Sequence, residues 1–112
     1  MVYNSIEATK ILNSSNIFPS VINIHTLKPI DKKEICQFIQ DSRIIITVEE
    51  HSIIGGLASV ISEIKSSTSI SSKQVSIALP NNYNVSGEYN YLKEINSLTP
   101  EKIAERIISE CK

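Results

Sequence analysis

Helical and extended spacings of apolar residues alternate along this chain. In "NSIEATKILNSSN", Ala8, Ile11 and Leu12 recur at i, i+3 and i+4, which predicts a helix capped by Asn4 or Ser5. "PSVINIHT", residues 19–26, is rich in branched side chains and predicts a short strand. "KPIDKKEICQFIQDS" opens a second helix: Asp31 with Glu34 is a capping-box pattern, and Ile35, Phe38 and Ile39 form an apolar stripe. "RIIITVEE" is the clearest strand. Its core, Ile44 to Val48, does not alternate and only Thr47 interrupts it, as in a strand covered on both faces.

The second half continues the alternation. "GGLASVISEIKSS" predicts a helix with Leu57, Val60, Ile61 and Ile64 on one face, and "SSTSISSK" a polar loop. "KQVSIALP" is a strand ended by Pro80, and residues 81–98 read as polar, aromatic and irregular, with one helical turn near Tyr91. Thr99 caps the last helix, with Pro100 at its first position and an apolar face of Ile103, Ala104, Ile107, Ile108 and Cys111. The order α-β-α-β-α-β-α predicts an α/β fold of three layers, a mainly parallel sheet with helices on both faces. At 112 residues the chain fits a single domain spanning 1–112.

Composition narrows the function. Hydrophobic residues are 41% of the chain, charged residues are 21%, and the net charge is -1. That balance offers no basic face for nucleic acid and no basic patch for an anionic membrane. No apolar run approaches the roughly 20 residues that span a bilayer, and "MVYNSIEATK" has neither the basic start nor the apolar middle of a signal peptide. Cys36 and Cys111 form no CxxC and read as free thiols, which points to a cytoplasmic location.

One stretch invites a catalytic reading. In "TVEEHSIIGG", Glu49, Glu50 and His51 stand where the "IIITV" strand ends, the place where open α/β sheets bind ligands. His25 stands near the end of its own expected strand, so the two histidines belong to one rim. Gly55 and Gly56 open a helix whose free amides suit an anion. The plainer reading is stronger. An acid near a helix start is favoured by the helix dipole and caps the amides, and glycines let strand turn into helix. Three consecutive side chains on an extended strand do not converge on one metal. Gly55-Gly56 is neither a Walker loop nor GxGxxG. Tyr83, Tyr89 and Tyr91, in and before "GEYNYL", fit either a partner surface or rings packed under a loop with wet hydroxyls.

"INIHTLKPID", "RIIITVEEHSIIGGLASVISE" and "GEYNYLKEINSLTPEKIAERI", in that order, resemble the C-terminal domain of the transketolase family. The resemblance covers nearly the whole chain and is most specific at "KPID" and "TVEEHSIIGG". The same domain closes deoxyxylulose-phosphate synthase and the beta chain of 2-oxoacid dehydrogenases; the histidine after the two acids leans toward transketolase proper. The resemblance implies a thiamine-diphosphate enzyme that moves two-carbon ketol units between sugars. It implies that thiamine diphosphate and Mg2+ are held by other domains and that this one supports a homodimer. Its partner is then the N-terminal, thiamine-binding half of the enzyme. No catalytic, cofactor-binding or metal residue is carried over. Glu49, Glu50, His51, Gly55 and Gly56 match the family motif as a turn and a packing edge at an interface.

The resemblance also implies a buried strand ahead of the first helix, between "VINI" and "IIITV", which this chain lacks. The chain is then a piece of a longer protein or a separately encoded tail. Right-handed crossovers place the first helix on one face and the helices at 31–41 and 56–66 on the other. The expectation is a three-stranded sheet that closes the gap by pairing Val21–Ile24 with Ile44–Thr47, or else accepts a strand from a partner. Two functions stay open: a part of a thiamine-dependent transferase, and a stand-alone binding or assembly module without chemistry.

Overall fold

The computed structural model describes residues 1–112. Five helices and two strands follow one another as α1 (Val2–Ser14), α2 (Lys32–Ile39), β1 (Ile44–Ser52), α3 (Leu57–Ser66), β2 (Lys73–Leu79), α4 (Tyr89–Ile95) and α5 (Pro100–Cys111). β1 and β2 pair in parallel, with Ile44 opposite Lys73, Ile46 opposite Val75 and Val48 opposite Ile77. The register slips between Val48 and Ser52, where the end of β1 bends away. α3 is the crossover that a parallel pair requires.

The sheet separates two apolar layers. On one side, Ala8 and Leu12 of α1 meet Ile103, Ala104 and Ile107 of α5, with Ile77 of β2 and Leu98. On the other, Ile35 and Ile39 of α2 meet Ile61 and Ile64 of α3 over Ile45 of β1. The helices thus divide between the faces as the crossovers require. Leu12, Leu98 and Ile103 are fully buried, each contributing roughly 2 kcal/mol of transfer free energy. In β1, Ile45, Thr47 and Glu49 are buried toward α2 and α3, while Ile46 and Val48 pack on the α1 side. Both faces of the strand are covered, which is why its sequence does not alternate.

Local capping follows the sequence closely. Asp31 accepts the Glu34 amide at 2.9 Å and opens α2. Thr99 accepts the Lys102 amide at 3.4 Å with Pro100 at the first helical position of α5. α4 is longer than the single turn expected near Tyr91, because Glu88 accepts the amides of Asn90 and Tyr91 at 3.0 and 3.2 Å.

Two expectations are corrected. Asn4 does not cap α1, which begins at Val2 with no side-chain cap. Its buried amide instead donates to the Leu98 carbonyl at 2.7 Å and ties α1 to the start of α5. Residues 19–26 form no strand, so the sheet has two strands and not three. Val21–Ile24 does not pair with β1, and Val21 and Ile22 are exposed. The gap stays open as a groove of 830 Å³, lined by residues 17–24 on one side and residues 43–51 on the other, with no residue of β2. Strand-forming side chains do not make a strand without a neighbour to take their hydrogen bonds. α1 and α2, standing on opposite faces, both line this groove.

Candidate functional site

Glu49 is the pivot of the motif. It sits on the buried face of β1, 8% exposed. Its two carboxylate oxygens accept the first amides of α3: Oε2 from Leu57 at 2.6 Å and Oε1 from Ala58 at 2.8 Å. These amides have no partner inside the helix. An acid at this end is also favoured by the helix dipole. The expected side chain at the N-cap is absent because the cap position is Gly56. Glu49 does from the strand what Ser or Asp does at an ordinary N-cap.

The glycines make room for that arrangement. A Cβ on Gly56 would lie 2.0 Å from Glu49 Oε2 and 2.8 Å from His51 Nδ1. Gly55 has φ +85, the left-handed region that side chains disfavour. The Gly55 amide donates to the Ser59 hydroxyl at 2.8 Å, which closes the turn onto the first turn of α3. His51 lies on the exposed outer side, its Nδ1 2.8 Å from the Ser52 carbonyl. A carbonyl only accepts, so Nδ1 carries the proton and Nε2 is the unprotonated ring nitrogen.

Glu50 points away from Glu49 and is exposed. It accepts the Tyr89 hydroxyl at 2.9 Å. That hydrogen bond is the main reason the Tyr89 hydroxyl titrates above its ordinary value, with desolvation and the Glu50 charge adding to it. The Lys93 ammonium lies 4.5 Å from the centre of the Tyr89 ring. The Tyr89–Glu50 hydrogen bond moors α4, which buries none of its own residues, to the end of β1. Tyr83 is fully exposed, and Tyr89 and Tyr91 are about half exposed. The rings therefore stand at the surface rather than beneath a loop.

The expected rim forms only in part. Glu49, His51 and Gly56 are brought together; Glu50 faces the α4 side. His25 is in no strand, does not line the groove, and places Nδ1 2.7 Å from the Thr26 hydroxyl. No three His, Cys, Asp or Glu side chains converge as a metal site would require. Thr47 is a feature that sequence reasoning touched without interpreting. It is 3% exposed, lines the groove, and its hydroxyl has no hydrogen-bond partner. Its signal was the one polar residue inside the apolar run of β1.

Chemically, the site is a braced turn. Both Glu49 oxygens are engaged by main chain, and the helix start that suits an anion already holds one. What remains open is an exposed imidazole, a tyrosine–glutamate pair and the groove.

The family model described as "Transketolase, C-terminal domain" matches residues 1–103. Over 109 residues the chain is 41% identical to a 1-deoxy-D-xylulose-5-phosphate synthase of Dictyoglomus turgidum, covering 97% of this chain and 18% of that protein. Over 111 residues it is 34% identical to a putative transketolase C-terminal section of Methanocaldococcus jannaschii, covering 99% of this chain and 34% of that protein. Among solved structures it is similar to a split gene transketolase, an inactive beta4 tetramer, with a TM-score of 0.80 at 27% identity. That likeness spans 96% of this chain and 34% of the solved one. The chain therefore spans about a third or less of the relatives it matches.

Proposed function

The chain belongs to the transketolase C-terminal domain family, and from that premise we propose that it is the non-cofactor-binding domain of a transketolase-like thiamine-diphosphate enzyme. The complete enzyme transfers two-carbon ketol units between sugars. This domain, a single unit over residues 1–112, supports its assembly as a dimer. The partner is the polypeptide that binds thiamine, and the setting is cytoplasmic. The observation that carries the reading is the use made of Glu49. The one buried carboxylate of the motif is consumed in capping α3, through Leu57 and Ala58.

Thiamine diphosphate with Mg2+ does not fit the residues present. The helix start best suited to a phosphate has its first amides on Glu49, and no cluster of acidic or imidazole ligands exists for the metal. No step of the reaction is routed through this chain. Its contribution is a surface: His51 and the Tyr89–Glu50 pair at the end of β1, and the groove beside it.

A second reading concerns the reaction class. The 41% identity to a deoxyxylulose-phosphate synthase favours that enzyme as the complete protein's activity. The two readings share the same role for this domain and differ only in the partner's chemistry.

The test is reconstitution. Titration calorimetry of the chain with thiamine diphosphate and Mg2+ gives no binding heat; micromolar affinity overturns the reading. Mixed with the thiamine-binding polypeptide from the same source, the chain comigrates with it on size exclusion and restores turnover. Ketol transfer between sugars supports transketolase, whereas formation of 1-deoxy-D-xylulose 5-phosphate supports the synthase. A partner that is fully active alone and ignores the chain leaves a stand-alone assembly module as the answer.

A further inference from the structure

Residues 80–97 are held to the rest of the fold at their ends and at one point between. At the first end Leu79 accepts the Ile53 amide at 2.9 Å. At the other, the fully buried Leu98 accepts the Asn4 side chain at 2.7 Å. Between these anchors, residues 80–91 are exposed without interruption and α4 buries none of its own residues. No ion pair involves the segment. Apart from the turn into Leu98, its single hydrogen bond to another part of the chain runs from the Tyr89 hydroxyl to Glu50 Oε2 at 2.9 Å.

The other interactions that shape the segment are local. Glu88 caps the Asn90 and Tyr91 amides, and the Lys93 ammonium lies over the Tyr89 ring. The Leu98 amide closes the far end on the Lys93 carbonyl at 2.8 Å. These contacts organise α4 without fixing it to the sheet. α4 has 7 residues, and a helix shorter than about 12 residues is marginal in water by itself. Its persistence therefore depends on Tyr89. The turn after it works the other way. Ser97 has φ 60, the left-handed region that a side chain disfavours. Melting α4 relieves that conformation. Few buried groups and exposed main-chain hydrogen bonds are the marks of a segment that opens without global unfolding.

We propose that residues 80–97 form a strap with two states, switched by a latch between Tyr89 and Glu50. In the closed state α4 is helical and Glu50 Oε2 is engaged by the Tyr89 hydroxyl. In the open state α4 melts, the strap becomes a loop from Leu79 to Leu98, and Glu50 is released beside His51 at the exposed end of β1. Only the open state offers both carboxylate oxygens, the form that a guanidinium binds as a pair. The closed strap therefore masks the acid of the strand end. The device is contained in this chain and is the same whichever complete enzyme the chain serves.

The test is native-state amide exchange of the 112-residue chain, followed by NMR at several urea concentrations below the unfolding transition. The amides to follow are Leu92 and Asn96, bonded within α4, with Ile103 of α5 as the reference for the core. Opening of the strap exposes little surface, so Leu92 and Asn96 are expected to exchange about a hundredfold faster than Ile103, at rates that urea hardly changes. Tyr89→Phe and Glu50→Ala each speed these two amides by about fivefold or more and leave Ile103 unchanged. Because both variants remove one shared contact, the double variant goes no further than either alone. The proposal is overturned if Leu92 follows Ile103 in its response to urea, since α4 then opens only with the whole fold. It is equally overturned if Tyr89→Phe leaves the exchange of Leu92 and Asn96 as it was, or if the effects of the two substitutions add, because the hydroxyl is then no latch.

Discussion

Glu49 and Gly56 are fitted to each other: a Cβ on residue 56 would stand 2.0 Å from the Glu49 Oε2 atom that holds the Leu57 amide. The contact is steric and electrostatic together, because the atom in the way is the acceptor that satisfies α3. Gly56→Ala therefore pushes the carboxylate off the helix or distorts the turn. The expected cost is about 2–3 kcal/mol, combining crowding with a damaged cap. Urea denaturation of the two proteins measures it. Equal midpoints would show that the carboxylate moves aside freely.

The second prediction separates the charge of Glu49 from its shape. Glu49→Ala leaves one buried and one half-buried amide without acceptors and is expected to cost about 2–4 kcal/mol. Glu49→Gln keeps one acceptor oxygen and turns the other into a donor facing an amide. Its cost falls between that of alanine and wild type. Amide exchange of Leu57 and Ala58 rises in both variants before the rest of α3 loosens. A glutamine variant as unstable as alanine would show that the negative charge, rather than the acceptor count, secures the helix.

Acid sensitivity has an identifiable contributor in Glu110. The Lys73 ammonium hydrogen-bonded to it holds its carboxyl below the ordinary 4.5, with the charge of Arg106, 2.8 Å away, adding to the effect against desolvation. A carboxyl whose folded pKa is depressed stabilises the fold fully above its unfolded value. That contribution is lost as pH falls through the folded one. Glu110→Gln should therefore lower the melting temperature at neutral pH. The two melting curves should converge as pH falls below about 4. Thermal scans across that range check it, and a gap that persists at the acid end would assign the effect to shape rather than charge.

His51 is expected to act in assembly. It is exposed at the end of β1, and its Nδ1–H is tied to the Ser52 carbonyl. In the reconstituted enzyme His51→Ala weakens association with the thiamine-binding polypeptide by tenfold or more and leaves turnover of the assembled complex near wild type. A thousandfold loss of turnover, about 4 kcal/mol of transition-state stabilisation, with association intact would make His51 a catalytic group.

What the sequence revealed, and what it hid, divides by the range of the interaction. Asp31 and Thr99 cap helices through amides three residues on, so their roles are visible in a short window. The unalternating run Ile44–Val48 reports coverage of both faces directly. Asn4 looks like a cap by the same local logic, but its partner is a carbonyl 94 positions away. Glu50 gives no sign of Tyr89, 39 positions on. Val21–Ile24 is the instructive case. Its composition suits a strand as well as that of β2 does, and composition is silent on whether a neighbour is there to pair with. The motif around Glu49 is intermediate: its residue types announce a rim site, and only the geometry reveals that the helix has already taken the acid.

The two apolar layers also impose a timetable on folding. The layer of α2, β1 and α3 draws on residues 35–64 and closes short loops. The opposite layer joins α1 to α5, the first helix to the last, through Ala8 and Leu12 against Ile103 and Ile107. Long loops close slowly and late. α1 leaves the ribosome well before α5, so this layer closes only when nearly all of residues 1–112 have followed. Through that interval its apolar stripe depends on chaperones, or on a partner already waiting, to keep it from aggregating.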